Sequence, residues 1–205
     1  MAGLQYRFIF GDVILEKSNM KRIQKLVLAA MFLAIGHVLP FFTGQIPQIG
    51  KMLLPMHIPV LLCGLICGGQ YGVIVGFVLP IIRSMIWGMP MMYPTAVAMA
   101  FELAAYGGII GFLFQKARYQ CIVSLYRCML LAMVGGRVVW GIVMMFLIGM
   151  GANGFTFEAF FAGAFLNAIP GIVLQLVVIP CVMLALDRTH MIRFRKSHII
   201  KEDGK

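Results

Sequence analysis

Between residues 122 and 150 the chain is apolar almost throughout, and its only charges are Arg127 and Arg137. About 20 apolar residues suffice for a helix to cross the hydrocarbon of a bilayer, so a run of this kind belongs in lipid. Five further runs occupy about residues 24–39, 54–68, 71–88, 95–114 and 160–186; the second is short and entered through Pro55. All are continuous rather than alternating, which selects helices over barrel strands. Gly- and Pro-rich punctuation such as GGQYG, GMPMMYP and GMGANG separates them. The sequence therefore predicts an all-α integral membrane bundle of six transmembrane helices over residues 20–187. Residues 1–19 read as a poorly ordered N-terminal extension without a cleavable signal, and Met20 resembles a natural start. Residues 188–205 read as a basic cytoplasmic tail.

Only 12% of residues are charged, about half the share of a soluble domain. The net charge of +10 would suggest nucleic acid in a soluble protein. Its distribution argues otherwise. Of the 17 Lys and Arg residues, most fall before the first run, around Lys116, Arg118 and Arg127, or after the last run. The opposite face keeps only Lys51, while Arg83 and Arg137 lie inside runs. The positive-inside rule then places both termini in the cytoplasm of a multi-pass cell-membrane protein. The partner implied by this charge is the lipid bilayer, not nucleic acid. The five cysteines contain no CxxC. Cys63 and Cys67, one helical turn apart, could suit a metal, but read more simply as small buried apolar residues. No metal, cofactor or disulfide framework is expected.

A charge at the bilayer centre costs about 2.5–3.5 kcal/mol on insertion scales, so Arg83, Glu102 and Arg137 need an explanation. With the orientation above, Arg83 lies roughly 8 Å and Glu102 roughly 12 Å below the outer end of its helix. Trp87 and Trp140 sit about one turn from Arg83 and Arg137. Tyr93 belongs to the outer loop, Asn167 to the outer half of the sixth run, and His57 to the outer end of the second. Polar and amphipathic side chains thus gather in the outer half on several helices, as in a small-molecule pocket. Glu102 could pair with either arginine and merely fix helix packing. One acid against two arginines still leaves a cation over, and a guanidinium matches a carboxylate bidentately. Trp87, Tyr93 and Trp140 could equally be interfacial anchors. An intramembrane enzyme finds little support: Ser84 and Ser124 lack a convincing histidine partner, and no HExxH or paired-aspartate motif occurs.

Small residues recur at helix-packing spacing: Ala30 with Ala34, Gly64 with Gly68, Gly72 with Gly76, and Gly107 with Gly111. Together with the AMFLA of the first run and the stretch LLPMHIPVLLCGLICGGQYGVIVGFVLP, this pattern resembles the substrate-binding S component of energy-coupling-factor (ECF) vitamin transporters. The resemblance covers about four-fifths of the chain. It implies six helices with cytoplasmic termini and a non-enzymatic subunit that binds a vitamin near the outer face. It also implies docking through Ala30 and Ala34 on a transmembrane T component, with two ATPase subunits as motor. No Walker A motif occurs in this chain. The region IIRSMIWGMPMMYPTAVAMAFELAAYGG is most similar to the pantothenate branch. In that reading Arg83 or Arg137 takes the carboxylate, and Glu102 or Asn167 the hydroxyl or amide. Pyridoxine, another small vitamin precursor, and a non-transport membrane scaffold remain alternatives.

Overall fold

A computed structural model describes residues 22–43, 55–117, 122–149 and 169–188. Among them are six α-helices. The first, α1, covers residues 22–38 and tightens into a 3-10 turn at Leu39–Thr43. Then follow α2 (His57–Ile66), α3 (Gly69–Trp87), α4 (Val97–Lys116), α5 (Ile122–Ile148) and α6 (Ile169–Arg188). Five helical segments are long and apolar enough to cross a membrane. The exception is α2. Its ten residues rise only about 15 Å, half the hydrocarbon thickness, so the second predicted crossing is a half-length helix. Arg127, counted among the basic residues of the fourth-to-fifth connection although it falls within the 122–150 run, lies in the second turn of α5. Residues 1–21 and 189–205, which hold the expected extension and nearly all of the tail, lie outside the described residues.

The helix ends follow local chemistry. Gly88 terminates α3 in the left-handed region at φ 67°, and its N–H donates to the Ser84 carbonyl at 2.9 Å; glycine bears this conformation without Cβ strain. Between α3 and α4, residues Met92–Ala96 form a single wide turn in which the Ala96 N–H reaches the Met91 carbonyl at 2.8 Å. Pro94 sits inside this turn, where its missing N–H costs no helical hydrogen bond.

Glycine spacing draws α2, α3 and α4 together. A Cβ on Gly72 would lie 2.7 Å from the Gly107 carbonyl oxygen and 2.8 Å from the Gly64 Cα. Three backbones therefore meet where no side chain fits, as the small-residue pairs predict. Around this junction lie two apolar clusters. Ala29, Val60, Cys63, Val75, Leu79 and Leu103 join α1–α4. Leu61, Leu65, Ile110, Met129, Ile179 and Met183 join α2 to α4, α5 and α6. The short α2 is shared by both, which fixes the height of its first residue, His57, deep within the bundle.

Candidate functional site

The buried face of α5 runs through Leu125, Met129, Ala132 and Gly136, the three-to-four spacing of one helix stripe, with the buried Arg137 at its edge. Gly136 meets the ring of Tyr106: a Cβ there would come within 2.7 Å of the ring carbons. That close approach brings Arg137 onto Glu102 of α4, with Nη1 and Oε1 2.9 Å apart and both side chains nearly inaccessible. His57 faces the same carboxylate, its Nε2 3.6 Å from Oε1, and lies edge-on to Tyr106 with centroids 5.1 Å apart.

Several polar atoms of this centre lack hydrogen-bond partners among the described residues. The Arg137–Glu102 approach is close but poorly aligned, so Oε1 has no hydrogen-bond donor among the described residues. Nor do Nε and Nη2 of Arg137, or either ring nitrogen of His57, have partners among them. Leaving a buried polar atom unsatisfied costs about 1–3 kcal/mol. A concentration of such atoms at one depth is a place where water or a ligand is stabilised.

Arg83 lies elsewhere. It is 4% exposed, and its Nη1 donates to the His37 carbonyl at 2.9 Å, near the end of α1. Its guanidinium carbon stands 5.5 Å from the Trp87 ring centroid and 5.7 Å from that of Phe41. Trp87 in turn contacts His37 and Phe41. Among the described residues no carboxylate pairs with Arg83. Gly76 of α3 abuts the backbone at Leu103 of α4, so Arg83, seven residues further along α3, stands about 10 Å beyond the level of Glu102. Two polar centres result: a paired Glu102–Arg137–His57 centre at the mouth of α2, and a lone guanidinium between aromatic faces about one ligand length away.

The other expected residues fall less centrally. Tyr93 is exposed, and its hydroxyl donates to the Leu147 carbonyl, tying the wide turn to the end of α5. Trp140 is half-buried on α5, three residues beyond Arg137. Asn167 lies outside the described residues. Ala30 and Ala34 are both exposed, on a stripe with Ile23, Val27, Met31, Ile35 and Val38.

Sequence reasoning missed Tyr106, the aromatic partner of His57, whose phenol in an apolar helix gives no distinguishing signal. It also missed Gln175, which is buried on α6 with neither amide atom partnered among the described residues. A solitary Gln in IVLQLVVI was a readable signal. The Tyr126 hydroxyl donates to the Leu176 carbonyl at 3.2 Å. That contact sets Gln175 beside the first turns of α5, away from the Glu102 centre.

The chain matches the family described as ECF transporter, substrate-specific component, over residues 24–183. The chain belongs to this family. S components are non-enzymatic binding subunits, and membership implies a vitamin substrate and partner subunits that energise transport. As an S component the chain is a multi-pass membrane protein. No curated protein and no solved structure matches it.

Proposed function

We propose that this S component binds a small monocarboxylate vitamin, pantothenate being favoured, from the extracellular side. The single observation that carries the reading is the division of labour between the arginines. Arg137 has its counter-charge in Glu102, whereas Arg83 is buried among aromatic faces with only a backbone carbonyl as oxygen partner among the described residues. A guanidinium held this way is a carboxylate receptor. The Glu102–Arg137–His57 centre, about 10 Å inward, offers both donors and acceptors to a hydroxyl or amide at the ligand's other end. Trp87 backs the carboxylate end, while Tyr93 and Trp140 stand toward the outer side; Asn167, the alternative partner for the hydroxyl or amide, lies outside the described residues. The aromatic rings beside Arg83 engage one another and the guanidinium, which disfavours a neutral ring such as pyridoxine as the principal occupant.

Both termini are cytoplasmic in this reading. The exposed stripe of α1 carrying Ala30 and Ala34 docks on the T component, and two ATPase subunits supply the energy. The experiment is a thermal-shift panel on the purified chain, paired with mass spectrometry of whatever small molecule co-purifies. Ligand binding to the folded state alone raises the melting temperature. Stabilisation by pantothenate and its recovery from the preparation are expected. Stabilisation by pyridoxine alone would transfer the chain to the other substrate class.

A further inference from the structure

A cavity of about 510 Å3 lies at the far end of the bundle from Arg83, where α1 begins, α2 turns into α3, and α4 ends. It belongs to neither polar centre described above. Lys25, Gln70, Tyr71 and Gln115 supply its polar lining, beside Gly68, Gly69 and Gly108, where the helices pack closely. A second ammonium, that of Lys116, stands over the ring of Phe112 at 5.4 Å from the centroid, and Phe112 is itself part of the cavity wall. No carboxylate lines the cavity among the described residues.

The chemistry is layered. At the helix ends the lining is cationic and rich in donors. One step toward the middle of the bundle, the wall passes into Val73 and Phe112, 42% and 63% exposed. From there an exposed apolar strip continues along α3 and α4 through Ile74, Phe77 and Phe101, with Phe77 and Phe101 in edge-to-face contact at 5.5 Å. Val73 packs directly against Gly108, where a Cβ would come within 2.8 Å of its Cγ2. A polar pocket at the interfacial level that borders an exposed apolar strip on membrane-spanning helices matches a phospholipid. An anionic headgroup meets the ammonium and amide donors, and an acyl chain lies on the Phe strip.

We propose that this cavity is a binding site for the phosphate headgroup of an anionic phospholipid, with Lys25 as the charge that selects it and Tyr71 as a hydroxyl donor. A lysine at a membrane surface is worth about fivefold in the binding of anionic lipid. The test is native mass spectrometry of the full detergent-solubilised chain. It is titrated with phosphatidylglycerol or with phosphatidylcholine of the same acyl composition, and glycerol 3-phosphate serves as soluble competitor. The wild type should retain its first phosphatidylglycerol about fivefold better than phosphatidylcholine. Lys25→Met should remove that preference, and Tyr71→Phe, which keeps charge and fold, should reduce it. Arg127→Met, a cation on the exposed side of α5, should leave it intact.

Equal losses in Lys25→Met and Arg127→Met would show a diffuse surface charge and overturn the proposal. Displacement of the lipid by glycerol 3-phosphate would assign the cavity to a soluble phosphate compound instead. A lipid-free isolated chain whose Lys25 is protected from amine labelling only in the assembled importer would assign it to a partner protein. Both outcomes would overturn the lipid. None of these results bears on the vitamin site at the other end of the bundle.

Discussion

The Glu102–Arg137 pair is open to a double-mutant cycle. Glu102 and Arg137 are 2% and 5% exposed, their charged atoms are 2.9 Å apart, and the nearest other described cation of fixed charge, Arg83, is about 10 Å away along α3. Removing one partner strands the other charge, which costs about 3–5 kcal/mol. Glu102→Gln should fall in that range because it leaves the buried Arg137 guanidinium without its counter-charge, and Arg137→Met should fall there because the carboxylate loses its main counter-charge. The double variant carries no stranded charge and keeps one buried amide, at about 1–3 kcal/mol. It should therefore be no less stable than the worse single variant. Equilibrium unfolding of the ligand-free chain in mixed micelles of rising SDS content measures all four proteins. Additivity of the two single losses to within about 0.5 kcal/mol would mean that the charges do not interact, and the reasoning about the paired centre would fail.

Other outcomes follow from the packing. Gly72→Val places a side chain between the Gly107 and Gly64 backbones, neither of which can rotate away; a loss at or above about 3 kcal/mol, read as failure to accumulate folded protein in the membrane, is expected. Gly88→Ala meets nothing within 4 Å but must keep φ at 67°, so its cost should be confined to about 1 kcal/mol in the same SDS assay. Ala30→Trp or Ala34→Trp, on the exposed stripe of α1, should abolish uptake in cells while leaving vitamin binding to the isolated subunit unchanged. Persistent uptake would move the docking face elsewhere.

Much of this architecture was legible in the sequence because lipid imposes one strong rule, that apolar runs become helices. The starts and stops near Gly69 and Gly88 followed from Gly and Pro punctuation, and the start near Ile122 from the polar KARYQ before it. Length was not legible for α2: Pro55 and Pro59 mark an entry, but nothing local says that the helix begins only at the level of Glu102. That height is set by the Gly64–Gly72–Gly107 junction, a contact between distant segments. The pairing of charges was hidden for the same reason. Arg83 and Arg137 look alike along the chain, and only the close approach of Gly136 to Tyr106 gives Glu102 to Arg137. Gln175 was readable as an isolated amide, yet its distance from the Glu102 centre depends on how α6 meets α5.

The division of labour between the two arginines is tested most directly by calorimetric titration of wild-type and Arg83→Met protein with pantothenate and with pantothenol, its alcohol analogue. Truncating one partner of a buried charge pair costs about 2–5 kcal/mol. Wild-type protein should therefore prefer pantothenate by at least about thirtyfold, and Arg83→Met should bind both compounds with similar, weak affinity. A preference for pantothenate that survives Arg83→Met undiminished would show that the carboxylate rests on another group.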